Sequence, residues 1–229
     1  MRQYLQALSL AAEFAIVILG AFGVLFVLTL IALVTKTGAG DPASTGWYSG
    51  GHLLSIVVYE LPVGAAVFGF LRLRGWSLKR IGLRVTASET LVGFGLALLN
   101  ELAFYAVLFG FAIAAPELTQ ALATSEAKPG GFGLLTVIVL SIVNPMFEEV
   151  FVCGYVVTVL KERADASTAI SISIAIRLMY HLYQGAVAFL SIIPFGFVLA
   201  WWYARTGRLW PVIVAHGLAD FIAFVGYVG

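Results

Sequence analysis

A chain of 229 residues that is 61% hydrophobic and only 11% charged lies far from the roughly one-quarter charged composition of soluble domains. A net charge of +1 leaves no basic field for a nucleic-acid partner, and a single cysteine, Cys153, excludes an intrachain disulfide. Apolar runs of about 20 residues, enough to span a bilayer, recur along the chain, which points to an all-α, polytopic transmembrane bundle of about seven helices in one domain over residues 1–229.

The first apolar run, residues 11–35, is too long for a signal-peptide core and reads as a membrane helix. A polar, glycine-rich connection follows over 36–51, with Trp47 and Tyr48 suited to the membrane interface. The second helix, about 53–73, carries Glu60 just before Pro62. Next, Arg72, Arg74, Lys79, Arg80 and Arg84 are interleaved with Trp76, Leu78, Ile81 and Leu83, a mixture that suits either a segment lying on the membrane surface or an ordinary loop. The third helix covers about 91–114 and a polar loop about 115–131. The fourth, about 132–160, holds the adjacent carboxylates Glu148 and Glu149. The fifth runs over about 167–183, the sixth over about 186–203 with a kink expected at Pro194, and the seventh over about 209–227.

Lys and Arg positions test this count. With the N-terminus in the cytoplasm, the inner side collects Arg2, Arg72, Arg74, Lys79, Arg80, Arg84, Lys161, Arg163, Arg205 and Arg208, and the outer side keeps Lys36 and Lys128. Ten against two is the asymmetry of the positive-inside rule. An integral protein of the cell membrane, with a cytoplasmic N-terminus, is expected.

Two adjacent carboxylates in an apolar span are costly, on the order of 3 kcal/mol each on insertion scales. They also repel, so one must keep a proton or find a cation. At about 1.5 Å per residue, Glu149, His181, His216 and Asp220 fall in one layer, although they come from three helices. His216 and Asp220 are spaced i, i+4 and share a helix face. His52, at the edge of the second helix, reads as an interfacial residue. Hydrolysis in such a layer needs a water, a base and donors for the developing oxyanion. A buried glutamate can serve as the base; the imidazoles of His181 and His216 can orient the water, donate to the oxyanion or bind a metal. Two histidines and a glutamate also match a catalytic zinc set, so a zinc cofactor is compatible with the residues without being required by them.

The residues Glu148-Glu149 followed by Gly154-Tyr155, then Tyr180-His181-Leu182-Tyr183-Gln184-Gly185, then His216-Gly217-Leu218-Ala219-Asp220 resemble the CPBP family. These are intramembrane endopeptidases of the CAAX prenyl protease and bacteriocin-processing (Abi-like) type, with the pattern EExxxR, FxxxH and HxxxN or HxxxD on successive helices. The resemblance covers about 132–224. It implies that Glu148 is the general base, that His181 helps hold the water, that Glu149 supports it, and that His216 and Asp220 lie on the oxyanion side. It also implies a peptide or membrane-protein substrate, CAAX-like or otherwise lipid-associated, and it leaves open whether a metal takes part.

The chain departs from that pattern at two places. Cys153 stands where the family has arginine, and Arg177 stands one turn before His181, where the family commonly has phenylalanine. An arginine in a membrane core needs a partner, so Arg177 is expected to face the carboxylates as a relocated guanidinium; otherwise the pairing is lost and the chain is a non-catalytic relative. Competing readings are a non-proteolytic scaffold or immunity protein and a proton-coupled transporter. The transporter reading is opposed by the absence of an internal repeat.

Overall fold

The computed structural model describes residues 7–35, 50–117, 131, 133–184 and 186–228. Its described residues form an all-α membrane bundle: α1 (Leu10–Thr35), α2 (Gly50–Leu73), α3 (Ala87–Ala114), α4 (Leu134–Glu149, continued by a π-helical stretch, Val150–Val157, and a last α turn, Thr158–Lys161), α5 (Ala166–His181), α6 (Ala186–Thr206) and α7 (Leu209–Val225). Trp47, Tyr48 and most of the 115–131 loop lie outside the described residues. Among the described residues, five helices are long and apolar enough to cross a membrane, namely α1, α2, α3, α4 and α6, and α7 is shorter and apolar. At 16 residues, α5 is about 24 Å long.

Local chemistry sets the helix ends. The Thr86 side chain accepts from the Glu89 N–H at the start of α3, and Asp165 does the same for the Thr168 N–H, 2.8 Å away, at the start of α5. Hydrogen bonds from Ser167 and Thr168 hold the Asp165 carboxyl down to about 2. α2 and α6 run unbroken through Pro62 and Pro194. Gly82, at φ +69°, lets the turn before α3 meet the turn before α7: its carbonyl accepts from the Leu209 N–H at 3.1 Å. A Cβ at Gly82 would land on the Gly207 carbonyl oxygen.

The basic segment after α2 turns two of its apolar residues inward and leaves Leu78 exposed. Trp76 and Ile81 are buried in the bundle. The indole N–H of Trp76 donates to Glu13 at 3.0 Å, Arg74 pairs with the other oxygen of Glu13 at 2.5 Å, and Tyr155 donates to Glu13 at 3.2 Å. This brace ties α1, the turn and α4 together. The physical reason is the buried Glu13 carboxylate, which a surface arrangement of the turn would leave unpaired.

α4 lies at the centre, packed against α2, α5, α6 and α7, with α3 laid against α6 and α7. Residues Phe151 to Val157 of its π-helical stretch are all buried. The outer faces are apolar instead: Leu19, Leu30 and Val34 on α1, and Leu91, Leu98, Phe109 and Ile113 on α3, are all more than 60% exposed. Continuous apolar faces of this kind suit lipid, not water.

Candidate active site

The acidic pair sits where α4 changes from α to π winding, a departure from regular hydrogen bonding that recurs at functional sites. Neighbouring helix residues project in different directions, yet one cation reaches both. Arg177 of α5 donates from Nη1 to Glu148 Oε2 at 2.9 Å. Its Nη2 donates to both oxygens of Glu149, at 2.8 and 2.9 Å. Arg177 and Glu149 are both buried, and the Glu149 side chain has no exposure at all. The guanidinium with its forked donors suits this bridging geometry. Gly196 on α6 faces the arginine stem, and the guanidinium lies 5.4 Å from the Phe195 ring centre.

His216 of α7 completes the inner half. Its Nδ1 is 2.6 Å from Glu149 Oε1, and its Nε2 faces Asp220 Oδ1 at 3.6 Å. The carboxylate is an acceptor, so Nδ1 carries the hydrogen. Phe195 meets the imidazole edge-on at 4.9 Å. Gly217 is what lets α7 come this close: a Cβ there would stand 2.5 Å from the Ser141 carbonyl oxygen of α4.

The outer half belongs to Glu148. Tyr180 donates to Glu148 Oε2 at 2.6 Å, with its own ring stacked on Phe22 at 4.9 Å. Asn144, one turn earlier on α4, donates to Glu148 Oε1 at 3.2 Å and to Glu60 Oε1 of α2 at 2.8 Å. His181 Nε2 stands 3.9 Å from Glu148 Oε1, too far for a direct hydrogen bond. The His181 side chain is 20% exposed, and its Nδ1 is 3.3 Å from Gln184 Nε2.

Glu148, Glu149, Arg177, His181, His216 and Asp220 are therefore brought into one site by α4, α5 and α7, and the cation that Cys153 cannot supply comes from Arg177. His52 stays on α2 away from it. Tyr180, Asn144, Phe195 and Glu60 also belong to the site and were not among the residues expected there. Asn144 was legible as the i−4 neighbour of Glu148, and Glu60 as a carboxylate in an apolar run, but nothing in the sequence linked the two.

The metal set differs from the expected pair. Among the described residues, the group whose ligand atoms lie within 4.8 Å of one another is Glu148, Glu149 and His216, without His181. All four carboxylate oxygens of Glu148 and Glu149 already accept from Arg177, Tyr180, Asn144 or His216. A metal cation placed among them would lie against the Arg177 guanidinium, a like charge that already bridges both carboxylates. The donor set fits hydrogen-bond donors and does not fit a metal ion.

Residues 130–222 match the family described as Rce1-like, type II CAAX prenyl endopeptidase, which takes in α4 to most of α7 and roughly two fifths of the chain. Comparison with curated proteins and with solved structures gives no match.

Proposed function

We propose, from the premise that residues 130–222 belong to the Rce1-like family of CAAX-type intramembrane endopeptidases, that this integral membrane protein hydrolyses a peptide bond with a water activated by Glu148. The observation that carries this reading is the 3.9 Å separation of Glu148 Oε1 and His181 Nε2. It is too long for a direct hydrogen bond and suits one water shared by both atoms. The two oxygens of Glu148 divide the work. Oε2 is held by Arg177 and Tyr180, which leaves Oε1 to take the proton.

The water attacks the scissile carbonyl carbon as Glu148 Oε1 removes its proton, forming a tetrahedral intermediate. His216, fixed at Nδ1 by Glu149 and faced at Nε2 by Asp220, lies on the side where the oxyanion develops. Collapse of the intermediate breaks the C–N bond, and the proton on Glu148 passes to the leaving amine. Arg177 stays hydrogen-bonded to both carboxylates, its single charge offsetting one of them. Substrates are membrane-associated peptides or proteins that present an extended segment to the partly exposed His181 side. The cell membrane, with the N-terminus in the cytoplasm, is the setting that the Lys/Arg distribution supports.

The test compares the membrane proteomes of cells making wild-type protein or Glu148→Ala. Uncleaved proteins that accumulate only with the variant, and that purified wild-type enzyme then cleaves, support the reading. A purified wild type that cleaves none of the accumulated proteins leaves a scaffold or transport role instead.

A further inference from the structure

Glu60 lies on α2, outside the segment that matches the family, and is 2% exposed. Its Oε1 accepts from Asn144 Nδ2 at 2.8 Å, and the same nitrogen donates to Glu148 Oε1 at 3.2 Å. A primary amide has two N–H donors and one carbonyl acceptor. With carboxylates on both sides of its nitrogen, the Asn144 amide has one orientation: a flipped amide would turn its oxygen toward two acceptors. Glu60 thus fixes the donor that fixes Glu148 Oε1, the oxygen that faces His181.

A carboxylate kept only for packing would be expected to have both oxygens satisfied. Glu60 Oε2 is buried with no hydrogen-bond partner among the described residues, and so is Asp220 Oδ2. Glu148, Asp220 and His216 all lie within electrostatic reach of Glu60. Glu60 belongs by placement to the polar layer of the site, and not to the Glu13 brace at the other polar cluster.

We propose that Glu60 is a positioning residue for hydrolysis: it orients Asn144, and Asn144 in turn aims Glu148 Oε1 at the water shared with His181. The inference rests on the assignment of Glu148 as the base. It assigns a role to α2, which the family match does not reach.

The experiment measures kcat and KM of purified, detergent-solubilised full-length protein on a substrate verified for the wild type, with melting temperature recorded in parallel. Glu60→Ala is expected to lower kcat about tenfold to a hundredfold, the range for losing a group that orients a reacting one, with KM changed less than about twofold. In an Asn144→Ala background, Glu60→Ala should add less than about twofold, because the two act in series. If Glu60→Ala does not fold, Glu60→Gln and Glu60→Asp decide the matter. Glutamine keeps both length and an acceptor and should retain most of kcat; aspartate keeps the charge but withdraws the acceptor by one methylene, and should lose it. Aspartate as active as glutamine, or multiplicative losses for Glu60 and Asn144, would overturn the proposal. So would a folded Glu60→Ala with normal kcat beside an inactive Glu148→Gln, and in that case the base assignment survives alone. A Glu148→Gln that cleaves normally overturns the base assignment itself, and the role of Glu60 falls with it.

Discussion

Arg177 Nη2 lies 2.8 and 2.9 Å from the two oxygens of Glu149, a contact between α5 and α4 that replaces one expected within α4. Cys153, the position that carries arginine in the resembling pattern, is itself fully buried. One site on Glu149 is thus served from across the bundle instead of from one turn along the same helix. Removing one partner of a buried pair costs about 3–5 kcal/mol, because the other charge is left alone. Arg177→Phe is therefore expected to lower the melting temperature in detergent sharply and to abolish cleavage. Arg177→Phe combined with Cys153→Arg restores a cation within reach of Glu149 and should recover a large part of both. A double variant no better than Arg177→Phe would show that the two positions do not share one role.

Cleavage by Glu148→Gln, His181→Ala and His216→Ala is expected to fall about a hundredfold to ten-thousandfold, the range for general acid–base groups. Folding should survive best in His181→Ala, whose side chain is partly exposed and has no hydrogen bond to either glutamate. Because the residues act as a unit, the Glu148→Gln, His181→Ala double variant should lose little more than the worse single one. Losses that multiply would mean that His181 works on a step separate from the water held by Glu148.

The Arg177 guanidinium that bridges Glu148 and Glu149 makes a prediction about metal. Extended dialysis of the purified protein against EDTA or 1,10-phenanthroline should leave kcat unchanged, and elemental analysis of active protein should find well under one zinc per chain. Loss of activity on chelation, restored by adding zinc, would mean that Arg177 moves aside for a metal in the working state.

The helices and the layer that holds the site were legible in sequence because a bilayer makes two demands that show in composition: spans must be apolar, and any charge within them must be there for a reason. Glu148, His181 and His216 stood out against that background, and Arg177 could be assigned to the carboxylates because an unpaired guanidinium there would be so costly. What could not be read were contacts without a periodic signature. Trp76 finds Glu13 across 63 positions, so the basic turn read equally as a membrane-surface segment or an ordinary loop. Asn144 finds Glu60 across 84. The π winding of Val150–Val157 left no trace either, since a stretch buried all round is apolar at every position and shows no period to measure.

Topology follows from the Lys/Arg split. In a Cys153→Ser background, Val85→Cys, an exposed site just before α3, should react only with reagents applied from the cytoplasmic side. Val228→Cys, after α7 and also exposed, should react only from the opposite side, since five helices, α3 to α7, separate the two sites and five is an odd number of crossings. Labelling of both from one side would contradict the seven-helix arrangement.

Gly217 offers a test that leaves every polar group of the site in place. Its ideal Cβ would stand 2.5 Å from the Ser141 carbonyl oxygen, a backbone atom in the middle of α4 that cannot swing away. Gly217→Ala must therefore push α7 from α4 by a fraction of an ångström or more. His216, the preceding residue, is carried with it, and the 2.6 Å contact to Glu149 lengthens. Overpacking of this kind costs about 1–3 kcal/mol, and a misplacement near 1 Å at the reacting groups is worth roughly a hundredfold in rate. The expected outcome is a lower melting temperature and a kcat reduced more than KM is raised. Gly95→Ala on the exposed face of α3, where an added Cβ meets nothing within 4 Å, is the matched control. It adds the same methyl group to a membrane helix and should leave both readouts at wild-type values. Equal behaviour of the two alanines would mean that α7 is not held at the distance that the His216–Glu149 contact requires.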